Sequence, residues 1–434
     1  MTRWWYVGAF LALMSILAGA CAASAATDAP PAVLPADTPT PLGSELQVSL
    51  LTFGPGRVYW ERFGHDAILI RNLQTGVAVA YNYGIFDFSQ KHFFLNFALG
   101  HMQYRMAADP FMDDLDFYAE HGRSVTQQVL NLTPAQRLSL ARFLEWNIEP
   151  QNTRYRYDYF LSNCSTRVRD ALDRVLGGAI QRQLSAVPAL PGHTYRFDAV
   201  RALSPDAWLA GVMDVALGPA ADRPLNLWKE SFLPEVLRQS LERVTVRSAD
   251  GREVPLVADT RVLVHGSVGA IPAAPPRWTL PLLAIGIAWA VVLVLLVSFG
   301  GRTAHLAFAA LATATVVGVG AAGIVLALIW GITAHWAGWH NENLLLFDPL
   351  CLLLIPLWWR SHRSSPRASQ TLRTLSVVMF AAAVASLVVR VLPGATQENL
   401  PWIALLLPIH VALLLVVWRR LRLRTGSAST PRTT

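Results

Sequence analysis

The chain has little cysteine and almost no lysine. Its 434 residues include 3 cysteines, Cys21, Cys164 and Cys351. No two form a CxxC pair, so neither a redox dithiol nor a thiolate metal cluster is expected. Lysine occurs only at Lys91 and Lys229, and the net charge of +7 rests on arginine. There is no P-loop and no Lys-rich phosphate-binding tract. Much of the positive charge flanks apolar segments, so it calls for no nucleic-acid partner. No metal or cofactor is expected. Charged residues make up only 15% of the chain, against 53% hydrophobic. That balance excludes an ordinary soluble domain and suggests a soluble part joined to a membrane part.

Residues 1–26 have the layout of a secretory signal or N-terminal anchor: Arg3, an apolar run from Trp4 to about Ala20, then small residues. Cleavage after Ala25 or Ala26 fits. "LAGAC" approaches a lipidation site at Cys21, but its leucine lies one place too far away. Residues 27–43 form a Pro-rich linker. Residues 44–265 have the composition of a globular domain, and "GAIPAAPPRW" makes a second linker over 266–277.

Residues 278–420 are membrane-like. Apolar stretches near 279–299, 304–330, 343–359, 374–392 and 401–418 suit five transmembrane helices, the third being the shortest. "RSHRSSPRASQTLR" and the tail at 421–434 are rich in arginine, whereas "GITAHWAGWHNEN" and "LPGATQENLP" have no Lys or Arg. The positive-inside rule makes the arginine segments cytoplasmic. Five spans then put residues 44–277 on the far side, in agreement with the secretory signal.

The exported part reads as α+β. "SELQVSLLTFG", "FGHDAILIRN" and "VAVAYNYGIF" read as strands, with His65, Ala67 and Leu69 on one face and Asp66, Ile68 and Ile70 on the other. Thr133, Pro134 and Gln136 mark a capped helix start. A second helix starts at "SNCSTRVRD", carries Val168, Ala171, Leu172, Val175 and Leu176 at helical spacing, and stops at Gly177-Gly178.

Cys164 falls in the first turn of that second helix. Unpaired N–H groups and partial positive charge at a helix start favour a thiolate and can hold an oxyanion. Arg167 and Arg169 add positive charge nearby. An exported cysteine without a partner in its own domain is a candidate nucleophile. His65 is the preferred base, at the opening of a strand where it can face a helix; His92, His101, His121 and His193 are alternatives. Asn82 is the preferred orienting group, with Asp66 and Asp87 as rivals.

"FGHDAILI", "YNYGIFDF" and "YFLSNCSTRVRD", in that order and followed by a multi-span region with "HNENLLLFDPL", resemble the Lnb-type lipoprotein N-acyltransferases. The resemblance implies a circularly permuted papain-like (NlpC/P60-like) exported domain in the bacterial inner membrane, with its catalytic face in the periplasm. It implies Cys164 as nucleophile and His65 as base. It also implies a membrane phospholipid as acyl donor and an apolipoprotein as acceptor. Asn163, Phe93, Phe94, His340, Asn341 and Asn343 are the expected substrate-binding residues. Phe93 and Phe94 belong to an aromatic stretch that also holds Phe86, Phe88, Phe97 and Tyr104. It suits an acyl groove, the membrane interface or plain core. Two rivals are a membrane-anchored cysteine peptidase or amidase acting on cell-wall peptides, and a non-catalytic membrane scaffold.

Overall fold

A computed structural model describes residues 41–86, 88–299, 301–359 and 366–427. The expected signal or anchor, most of the first linker, Cys21 and Asp87 lie outside these residues. The three strands read from the alternation are present as β1 (Leu46–Phe53), β2 (His65–Asn72) and β3 (Ala78–Ile85). They join β4 (Gln103–Pro110), β5 (Val125–Leu130), β6 (Arg154–Arg156) and β9 (Val257–Val264) in one antiparallel sheet of order β6-β4-β3-β2-β1-β5-β9. A separate hairpin pairs β7 (Thr245–Arg247) with β8 (Glu253–Pro255).

The period-2 pattern sorts the side chains onto two helical layers. Leu51, Phe53, Ala67, Leu69 and Ala80 face helix α2 (Phe111–Glu120). Ile68, Ile70, Tyr81 and Tyr83 face α3 (Pro134–Ile148) and α4 (Cys164–Val175). Both faces are therefore apolar and covered, and each buried large side chain contributes about 2 kcal/mol. The capping box at Thr133 and Gln136 is formed, and α4 ends before Gly177 and Gly178, both in the left-handed region at φ 61° and 81°. Between β3 and β4 lies the short helix α1 (Phe93–Leu99). Five further helices fill the stretch before the membrane part: α5 (Ala179–Ser185), α6 (Tyr195–Leu203), α7 (Ala207–Ala216), α8 (Leu227–Glu230) and α9 (Pro234–Leu241).

Among the described residues four helices are long and apolar enough to cross a membrane. They are α10 (Thr279–Ser298), α11 (Gly301–Ile332), α13 (Pro366–Val389) and α14 (Leu400–Ser427). The expected third span is not a continuous helix. Residues 342–359 make two 3-10 turns, Glu342–Leu345 and Pro349–Leu353, then α12 (Leu354–Trp359). Asn341 and Asp348 cap the turns through their side chains, and Pro349 has no N–H to continue a helix.

The broken segment nevertheless runs antiparallel to α11. The His340 ring lies 5.0 Å from Trp330, Cys351 Sγ donates to the Val316 carbonyl at 3.2 Å, and Trp358 packs on Phe308 at 6.1 Å. From Trp330 to Phe308, α11 rises roughly 33 Å at about 1.5 Å per residue. The irregular segment covers that length at roughly 1.8 Å per residue, between an α-helix and a 3-10 helix. Irregular backbone at membrane depth is tolerated where protein covers it.

Polar groups join the exported part to the outer ends of these helices. Asn341 Nδ2 donates to the carbonyls of Val215, Ala216 and Leu217 at 2.8, 3.1 and 3.1 Å, and Asn343 Nδ2 to Val215 at 3.0 Å. The Trp402 indole donates to Asp214 at 2.7 Å. Buried Arg196 binds Asp222 and Asp214 behind this contact.

Candidate active site

Cys164 is the first residue of α4, and Asn163 caps it. The Asn163 Oδ1 accepts the Thr166 N–H at 2.9 Å, and Thr166 Oγ1 accepts the Asn163 N–H at 2.8 Å. Such a cap is worth about 1 kcal/mol. Asn163 Nδ2 donates to the carbonyls of Tyr159 and Phe232 at 3.0 and 2.9 Å. Asn163 is buried and committed to these bonds. It fixes the start of the helix, which is not the substrate-binding place expected for it.

The cysteine is partly buried, and its sulfur is approached by the N–H groups of Asp66, Ser165 and Cys164 itself. Gly84, at φ 91°, lies against it: a Cβ there would lie 3.4 Å from Cys164 Cβ and 3.9 Å from Tyr155 Oη, ordinary contact distances. A side chain at this backbone angle would be strained.

His65 and Asn82 project from the α2 face. His65 Nε2 and Asn82 Oδ1 are 3.0 Å apart, and Asn82 Nδ2 donates to Asp114 Oδ2 at 2.8 Å. The second bond fixes the amide orientation. Its oxygen therefore faces His65, so Nε2 carries the proton and Nδ1 keeps a free lone pair. Phe53 and Tyr118 stack against the ring at 5.7 and 6.2 Å.

Asp66 points the other way. It accepts from Thr52 and Ser165, each at 2.7 Å, which ties the start of α4 to β2. This places Cys164 against the residue that follows His65 and removes Asp66 as the orienting group. His121 and His193 are bound elsewhere, to the Phe117 carbonyl and to Glu230. Asp114 is the site member that sequence reasoning missed. It stands among Asp113, Asp116 and Glu120 on α2, and only the sheet register singles it out.

Burial raises the Cys164 thiol to about 12, helped by Asp66, while the three N–H groups pull the other way. Burial also lowers His65 to about 4, against its bond to Asn82 and with the help of Arg123. The resting pair is a neutral thiol and a neutral imidazole. The expectation that the helix start and its arginines hold a thiolate is corrected, because desolvation outweighs them. Arg167 lies over Tyr155 at 4.3 Å, and Arg169 binds Asp170 at 2.7 Å.

Phe93 and Phe94 lie on α1, which has no buried residue. Asn341 and Asn343 are buried in the joint described above, and His340 is exposed at φ 55°. None of these three is brought to the cysteine. Ligand atoms of His193, Asp198 and Glu230 lie within 4.8 Å of one another. His193 bonds Glu230 at 2.6 Å and Arg201 bonds Asp198 at 2.7 Å.

The family model described as the Lnb N-terminal periplasmic domain matches residues 42–204. That range contains His65, Asn82, Asp114 and Cys164. No curated protein and no solved structure matches the chain.

Proposed function

We propose that this chain, whose residues 42–204 match the Lnb N-terminal periplasmic domain, N-acylates lipoproteins by a thioester route. The acyl donor is a membrane phospholipid. The acceptor is the α-amine of an apolipoprotein's N-terminal diacylglyceryl-cysteine. The His65–Asn82–Asp114 chain of hydrogen bonds, on the strand whose Asp66 binds the start of the Cys164 helix, supports the reading.

His65 Nδ1 takes the thiol proton as the sulfur attacks the ester carbonyl. The N–H groups at the start of α4 receive the developing oxyanion. Collapse breaks the ester C–O bond, and the imidazolium returns its proton to the leaving lysophospholipid oxygen. The acyl group is then held on sulfur. The acceptor amine attacks the thioester, its proton passes to His65, and the thiolate leaves and is reprotonated. Asn82 keeps the imidazole in the reactive tautomer, and Asp114 keeps Asn82 from flipping.

The membrane part supports this reading over a tethered peptidase. The Trp336 indole, from the loop after α11, donates to Asp158 Oδ2 at 2.8 Å. Asp158 Oδ1 accepts the N–H groups of Phe160 and Leu161, both at 2.9 Å, in the loop that leads into Cys164. A plain anchor would need no such contact. The test is mass spectrometry of lipoprotein N-termini in cells whose sole N-acylating enzyme is this chain. The expected result is an N-acyl group on the N-terminal cysteine; free α-amines there would refute the proposal.

A further inference from the structure

Two exposed apolar elements lie close together on the exported part, linked through Phe86. One is the turn Val58–Trp60, whose three side chains are 40–50% exposed; the other is α1 with its preceding loop, where Phe88, Phe94, Leu95 and Phe97 are 37–74% exposed. Phe86 connects them, lying 6.0 Å from Trp60, 5.0 Å from Phe88 and 6.4 Å from Phe93. From Phe86 the aromatic wall continues inward to Tyr104 at 5.4 Å and on to Tyr157 at 4.1 Å. Tyr155, the cross-strand partner of Tyr104, leads on to Cys164: a Cβ on Gly84 would lie 3.9 Å from Tyr155 Oη and 3.4 Å from Cys164 Cβ.

The height of α1 is fixed by the membrane part. The Ala334 N–H donates to the Leu99 carbonyl at 2.8 Å, and His335 Nε2 bonds the Phe97 carbonyl at 3.1 Å. Both donors lie just beyond Ile332, the last residue of α11. Gly100, at φ 74°, lets the chains meet, since a Cβ there would lie 3.1 Å from Ala334 and His335 backbone atoms. The aromatic elements therefore sit at the outer rim of the membrane helices, where Trp330 and Ile332 are also exposed. Water would oppose so large an apolar surface, whereas the bilayer interface accommodates aromatic rings.

We infer that the Val58–Trp60 turn and α1 are two lips that dip into the bilayer and guide one phospholipid acyl chain along Phe86 and Tyr104 to Cys164. The inference rests on the acyl-transfer reading and adds to it the entry route of the donor. The occupant is a lipid acyl chain, because the wall is apolar from the rim inward and meets the rim of the membrane helices.

The test uses full-length protein in vesicles containing a phospholipid with a diazirine near the end of one acyl chain. Irradiation is expected to label peptides holding Tyr59–Trp60 and Phe93–Phe97. The variant Trp60→Asp/Phe94→Asp, with unchanged melting, is expected to raise the apparent KM for vesicle phospholipid by about tenfold or more, the loss of roughly one buried aromatic contact. The kcat for Cys164 acylation should change much less. Label confined to α10–α14, or an unchanged KM, would overturn the inference. Acylation of Cys164 without label on the lips sinks the lips and leaves acyl transfer standing. Label on the lips without acylation supports the lips and sinks acyl transfer.

Discussion

Cys164 and Cys351 are both unpaired thiols, held in two regions with opposite logic. Around Cys351 everything is closed. The residue is fully buried, its S–H is spent on the Val316 carbonyl, and Gly320 on α11 leaves just enough room for the sulfur. Around Cys164 the groups are donors: N–H groups at the helix start, held by Asp66 from the strand that also carries His65, the proposed base. Being unpaired makes neither thiol a nucleophile. What separates them is whether the surroundings receive negative charge and remove a proton.

The comparison can be broken most directly at the sulfurs. Cys164→Ser should lower acyl-adduct formation by about a thousandfold or more, since a hydroxyl is a far weaker nucleophile without a lowered pKa. Cys351→Ala should leave the rate within about twofold and lower only the melting temperature, because it opens a small cavity. Single-turnover acylation with phospholipid vesicles reads both. His65→Ala should cost on the order of a hundred- to ten-thousandfold in the same assay. A near-wild-type rate would remove it as the base.

Smaller changes sharpen the account. Asp114→Ala frees Asn82 to flip and should slow acylation by about tenfold, in the range seen when a supporting partner is lost. Trp336→Phe keeps the ring and removes the hydrogen bond to Asp158. It should slow acylation by about three- to tenfold while lipid binding holds, the net worth of one ordinary hydrogen bond, about 1 kcal/mol. No change in rate would reduce the membrane part to an anchor.

Stability against pH separates His65 from its neighbour. His65 is lowered to about 4, so its share of stability is present above about 6.5 and is lost as pH falls toward 4. Asp66 is raised to about 7, by burial against its bonds to Ser165 and Thr52. Its share is present below about 4 and is lost as pH rises toward 7. The two oppose each other between these limits. Asp66→Asn should therefore make stability fall more steeply on acidification from about pH 7 to 4 than in the wild type, by an amount on the order of 4 kcal/mol. Equal slopes would contradict the buried, protonated Asp66.

Much of this was legible in the residues because it is local. Alternation set the faces of β2, so His65 and Asp66 were separated before any contact was known. Thr133 and Gln136 formed their box, and Gly177 and Gly178 ended α4. The polar Asn163 beside Cys164 was visible too, but its role was not: a cap residue and a ligand-binding residue look alike until Thr166, Tyr159 and Phe232 are in place. Asp114 was hidden among equivalent acids. The third apolar stretch was long enough for a helix, yet Pro349 and the Asn341 and Asp348 caps broke it. Asn341 and Asn343 were polar at the right boundary, but their partners lie more than a hundred residues away on α7. Those pairings are tertiary and leave no periodic trace.

The most direct measurement is the mass of the full-length protein after incubation with phospholipid vesicles and no acceptor. The account predicts one hydroxylamine-sensitive acyl group on the peptide containing Cys164, absent in Cys164→Ser. An unmodified Cys164, or an acyl group on any other residue, would contradict it.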